Sequence, residues 1–133
     1  MKKSIIFCLL IILTIFTIVG YKCNNKTHKF KLRIKESSWS GWTEDYKPEE
    51  LTKEYEVVLG EVYSINSGKF IFSILEINDD NIIIETSEPF SDKEGGIDLK
   101  TKKTKFKIYI DQEIELNTPT MDAGEIYYLT LLK

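Results

Sequence analysis

Phe70-Ile71-Phe72-Ser73-Ile74-Leu75-Glu76-Ile77-Asn78-Asp79-Asp80-Asn81-Ile82-Ile83-Ile84 sets the fold class of this chain. Phe70 to Ile77 and Ile82 to Ile84 are nearly continuous apolar runs, rich in the β-branched and aromatic side chains that fit a pleated surface, and they read as central strands. Between them, Asn78 to Asn81 supplies side chains that tolerate left-handed backbone and bond their own main chain, so the two runs are expected to form a hairpin.

The same grammar extends in both directions. Asn66-Ser67-Gly68 is a turn between Val62 to Ile65 and the Phe70 strand. Phe30, Leu32 and Ile34 alternate with Lys29, Lys31, Arg33 and Lys35, the period of two that sends one set to a core and the other to water. Tyr55, Val57 and Leu59 repeat that pattern, as do Phe106, Ile108 and Ile110, and Ile114 with Leu116. The last run, Glu125 to Leu132, is apolar on both faces and is expected to close the core. Pro48-Glu49-Glu50-Leu51 allows a helical turn or two. About eight short strands separated by polar turns predict an all-β domain, an antiparallel β-sandwich or a small Greek-key barrel.

Asp122-Ala123-Gly124-Glu125-Ile126-Tyr127 resembles the turn and tyrosine corner that lead into a late strand of immunoglobulin-like domains. In that family the tyrosine falls one position earlier relative to the aspartate, and the paired core cysteines have no counterpart here. The resemblance covers six residues and implies architecture only, because a fold does not fix a function.

Ahead of the domain, Met1-Lys2-Lys3 precedes an uncharged run from Ser4 to Tyr21 that closes at Lys22-Cys23. As a helix, that run would reach about 27 Å, between the lengths of a signal core and a full span. Small residues for cleavage are scarce, since bulky Ile18 stands two positions before Gly20, and an uncleaved hydrophobic helix is the favoured reading. Residues 1–23 are thus expected to be a signal peptide or signal anchor and 24–133 a single exported domain. Cys23 is a candidate for lipidation, although Tyr21 and Lys22 before it depart from the lipoprotein pattern. Lys22 to Lys35 carries more positive charge than Lys2 and Lys3, which pulls against an exported orientation; strand periodicity assigns those charges to a folded surface instead. The expected location is the extracytoplasmic face of the membrane, or outside the cell.

With Lys2, Lys3 and Lys22 set aside from the 18 basic residues, the exported part holds 21 acidic against 15 basic residues, a formal charge of −6. That balance argues against nucleic acid, whose binders neutralise phosphates. No cysteine follows Cys23, so burial and sheet hydrogen bonds must stabilise the domain. His28 is the single histidine, which excludes hydrolase triads and multi-histidine zinc sites from the domain. Gly95-Gly96 reads as a hairpin tip, not a phosphate cradle. Asp79 and Asp80 lack the spaced acidic series of a calcium loop. No cofactor and no metal are expected.

Ser37-Ser38-Trp39-Ser40-Gly41-Trp42-Thr43-Glu44-Asp45-Tyr46 gathers both tryptophans and a tyrosine in a polar connection. Large rings with a polar handle anchor interfaces, so Trp39, Trp42 and Tyr46 are the candidate contact residues for a protein partner or a cell-wall glycan. Competing readings have these rings fold back over an open end of the sandwich, or touch the membrane interface, where Trp and Tyr are enriched. The function expected is non-enzymatic binding at the cell envelope, including the protective inhibitor or immunity-type variant. A carboxylate enzyme acting on envelope polysaccharide is the alternative, and it requires two buried acids facing each other across a cleft.

Overall fold

In a computed structural model of the chain, the described residues are 29–42, 44–92, 102–120 and 122–133. They form eight strands: β1 Lys31–Ser40, β2 Leu51–Glu56, β3 Val62–Ile65, β4 Phe70–Ile77, β5 Asn81–Phe90, β6 Lys103–Tyr109, β7 Glu113–Asn117 and β8 Ala123–Leu132. Two four-stranded antiparallel sheets result, ordered β2-β1-β8-β7 and β3-β4-β5-β6. The anticipated N-terminal helix, with Cys23, lies outside the described residues.

Alternation explains which face of each strand is buried. Leu32 stands opposite Leu131 and Ile34 opposite Leu129, and all four are buried. On β7, Ile114 and Leu116 pair with Leu129 and Tyr127 and extend the same face. In the second sheet Phe72, Ile74, Ile84, Phe106 and Ile108 point inward. The continuous apolar run of β4 is made possible by a bulge. Ile74 pairs with Ile84 but Ile77 with Ile82, so β4 carries one extra residue between them, and Ile74 and Ile77 end on the same face. The turn after β3 is as the sequence predicts, with Asn66, Ser67 and Gly68 all at positive φ (52°, 55° and 83°).

The sheets pack through an aromatic cluster. Phe70 of β4 stacks on Tyr127 of β8 at 4.3 Å between ring centroids, and Phe90 meets both rings edge-on. Truncating a fully buried ring such as Phe70 removes about 3–5 kcal/mol, a large part of the stability of a small domain.

Several expectations need correction. Pro48 to Leu51 forms no helix: β2 starts at Leu51, which pairs with Glu36, because the open edge of β1 offers a ladder that a single helical turn cannot match. Val57 and Leu59 are not in a strand either; β2 ends at Glu56, and Gly60, at φ +78°, turns the chain.

Strand order also departs from the immunoglobulin pattern. Every paired neighbour is consecutive in sequence except β1 with β8, the first strand with the last. Immunoglobulin sheets pair non-consecutive strands, and a Greek key returns its fourth strand by a long connection. Here turns of three to five residues join most strands; within each sheet successive strands lie side by side, as in a meander, whereas the 57–61 and 110–112 turns pass from one sheet to the other. The tyrosine-corner resemblance fails at the same place. The Tyr127 hydroxyl is bonded to the Asn66 side chain at 3.1 Å, on the opposite sheet, instead of to nearby backbone.

Antiparallel alternation gives the domain two poles. The chain enters at Phe30, and the same pole holds the 57–61, 78–80 and 110–112 turns and the end of β8. Val57 N–H donates to Phe30 O, Ile110 N–H to Asp80 O and Asp111 N–H to Leu131 O across it. The other pole holds the 41–50 connection and the 66–69 and 118–122 turns. β1, paired along its whole length with β8, runs from one pole to the other, about 33 Å for ten residues.

Candidate binding surface

The segment expected to be a connection from Ser37 onward is strand as far as Ser40, because β8 offers a ladder to the far end of β1, and only the part after it is a connection. Ser38, Trp39 and Ser40 pair with Glu125, Gly124 and Ala123 of β8, and Gly41 N–H donating to Asp122 O at 2.8 Å carries the ladder one residue further. Trp42 N–H then donates to Ser40 Oγ at 3.3 Å, and the chain leaves the sheet.

The three aromatic candidates are held differently. Trp39 is half-buried on β1 and lies against the backbone of Gly124. A Cβ at Gly124 would stand 2.8 Å from Trp39 Nε1 and 2.2 Å from Thr118 Oγ1, so the missing side chain is the room the indole occupies. Trp42 is 76% exposed. Tyr46, 43% exposed, returns to β1 through a 2.5 Å hydrogen bond between its hydroxyl and Ser38 Oγ. Tyr46 and Trp39 are thus both fixed to the end of β1, one by a hydroxyl and one by packing, and Trp42 stands free between them in sequence.

None of these rings belongs to the buried core. Phe70, Phe90 and Tyr127 fill that end of the core instead, with the Asn66–Tyr127 hydrogen bond and a Lys69–Glu125 ion pair of 3.1 Å beside them. This internal closure is what sequence reasoning missed. The apolar character of residues 70, 90 and 127 was legible, but their convergence from three strands was not. Burial raises the Tyr127 hydroxyl pKa above its ordinary value of 10.0; hydrogen bonding to Asn66 opposes that shift, and the negative charges of Glu125 and Glu36 reinforce it. The hydroxyl stays neutral at physiological pH.

The rim of the surface is acidic. Glu44, Asp45, Glu49 and Glu50 are exposed along the connection, with Lys47 the single basic residue among them. Opposing basic groups on a partner would meet a complementary field, which acts on encounter rate and register more than on affinity.

A second concavity, of about 310 Å³, lies between β6 and β7, where the sheets do not pair. Lys103 and Lys107 form one wall and Glu113 and Glu115 the other, over Phe106 and Ile114. Its charges are already matched at two points: Asp92 holds Lys103 at 2.6 Å, and Asn117 Nδ2 donates to Glu115 Oε1 at 2.8 Å. Among the described residues no aspartate or glutamate is buried. Asp80 Oδ1 accepts a hydrogen bond from Asn81 Nδ2 at 2.6 Å, and no group of three potential metal ligands occurs among the described residues. His28, Gly95 and Gly96 lie outside the described residues.

No protein-family model, curated protein or solved structure matches the chain.

Proposed function

We propose that this chain is a non-enzymatic binding module of the cell envelope, tethered through residues 4–21 and using Trp39, Trp42 and Tyr46 as its contact surface. In this reading the two sheets pack face to face as an antiparallel sandwich. The observation that carries the proposal is polarity. The chain enters at Phe30, and β1 delivers the aromatic segment to the opposite pole, about 33 Å away. A domain held at the membrane by its N-terminus would present that segment outward.

Support also comes from the way the rings are fixed. Trp39 against Gly124 and Tyr46 against Ser38 lose little freedom on contact, because packing and a hydrogen bond already restrict them. Exposed Trp42 supplies the apolar area that a hot spot needs. The acidic rim favours a protein partner with an apolar pocket edged by basic groups, as an envelope assembly component or the target of a protective inhibitor would have.

The test is capture from membrane extract, run beside binding to purified cell wall. Trp42→Ala should weaken partner capture by about 30-fold or more, the effect of losing about 2 kcal/mol at a hot spot, with thermal unfolding nearly unchanged. Undiminished capture by that variant would remove Trp42 from the surface. Selective retention on wall glycan would replace the protein partner.

A further inference from the structure

The pole where the chain enters carries an apolar feature that the core does not use. In the β2–β3 turn and at the start of β3, Val58, Leu59 and Val62 are 47%, 62% and 64% exposed. Turns are normally polar, and adjoining exposed aliphatics on one need a reason. This turn is also firmly held. Gly60 N–H donates to Ile74 O at 2.9 Å, Ile74 N–H to Glu61 O at 3.2 Å and Val58 N–H to the Tyr63 hydroxyl at 3.2 Å, while that hydroxyl donates to Glu56 O. The aliphatic side chains therefore project from a braced backbone and cannot simply fold inward.

Their position says what covers them. Val57 N–H donates to Phe30 O at 3.0 Å, so the turn sits beside the point where the chain enters the domain. The eight residue-to-residue steps from Tyr21, the end of the uncharged run, to Lys29 span at most about 29 Å however they are arranged. We propose that Val58, Leu59 and Val62 form a wedge that rests in the interfacial layer of the bilayer holding the leader, which fixes the domain upright with its aromatic pole away from the membrane. This rests on the tether reading. Glu56 and Glu61 flank the wedge and Asp79 and Asp80 lie on the neighbouring turn, while Lys29, Lys31 and Lys133 are exposed at the same pole and Lys31 stands opposite Glu56, so the charges are mixed and apolar burial, not headgroup charge, holds the wedge in the bilayer.

The experiment uses the full chain reconstituted into phosphatidylcholine vesicles, with and without bromine on the upper acyl chain, a short-range quencher of tryptophan. Leu59→Trp in a Trp39→Phe/Trp42→Phe chain should lose emission in the brominated vesicles, and the unaltered chain, whose tryptophans lie at the far pole, should not. Amide exchange of residues 58–62 in the unaltered chain should slow on reconstitution, a readout independent of substitution. Added anionic lipid should leave both effects little changed. If the chain floats with the vesicles but the Leu59→Trp variant keeps its emission and exchange is unchanged, the wedge is wrong and the tether stands. Quenching of Trp39 and Trp42 in the unaltered chain would overturn the upright orientation. Failure to float with the vesicles would refute the tether itself, and the wedge with it.

Discussion

Gly124→Ala tests how the aromatic surface is built. A Cβ there would meet Thr118 Oγ1 at 2.2 Å, Thr120 Oγ1 at 2.8 Å and Trp39 Nε1 at 2.8 Å. Ordinary contact begins at 3.4 Å, so the Thr118 hydroxyl would have to withdraw by the difference between 3.4 and 2.2, or 1.2 Å. It has little freedom to do so, because it accepts the Glu125 N–H at 3.0 Å and lies 3.3 Å from the Thr120 hydroxyl, which itself donates to Ala123 O at 2.5 Å. Overpacking costs about 1–3 kcal/mol and a broken hydrogen bond about 0.5–1.5 kcal/mol, against a gain of about 0.4–1 kcal/mol from a stiffer unfolded chain. The net is a loss of about 2 kcal/mol, which for a domain of this size lowers Tm by about 10 °C. Thermal unfolding followed by circular dichroism reads the loss, and tryptophan emission reads the displacement of Trp39. Thr118→Ala added to Gly124→Ala removes the closest obstruction, so the double variant should be more stable than the sum of the single effects implies. An unchanged or higher Tm with unchanged emission would refute the close seating of the indole on the glycine.

Tyr127→Phe keeps the stack on Phe70 and deletes the hydroxyl bonded to Asn66, so it should lower the denaturation free energy by about 0.5–1.5 kcal/mol without altering the m-value. Burial raises the hydroxyl pKa of Tyr55, Tyr63, Tyr127 and Tyr128 above the ordinary value of 10.0. The unfolded chain then releases these protons first, so their stabilising contribution is whole below about pH 10 and is lost as pH rises through the folded-state values. Urea midpoints between pH 9 and 11 should fall, and less so in Tyr127→Phe. Ser91 is buried with no partner for its hydroxyl, so Ser91→Ala should leave Tm unchanged or raise it slightly, whereas a clear drop would reveal a bond to that oxygen.

What was legible in the sequence is what depends on neighbours along the chain. Period-two alternation located the first half of β1, Lys31 to Lys35, and β6, and the left-handed tolerance of Asn66, Ser67 and Gly68 placed a turn that the backbone does adopt. The apolar runs around Asn78 to Asn81 marked a hairpin, and the two strands pair on either side of it. Concentration of Trp39, Trp42 and Tyr46 in one segment was also plain, because it is composition.

What only the tertiary structure decided is everything that depends on which strands lie together. Pairing β1 with β8 is a contact between the two ends of the domain, and no local pattern encodes it, since many partners offer the same ladder. From that pairing follows the seat of Trp39 on Gly124. The placement of the aromatic segment and the chain entry at opposite poles depends only on the ten-residue run of β1 between them. Local propensity settles backbone shape residue by residue, whereas the choice among strand orders rests on the joint burial of side chains such as Phe70, Phe90 and Tyr127, which meet only after the chain has closed.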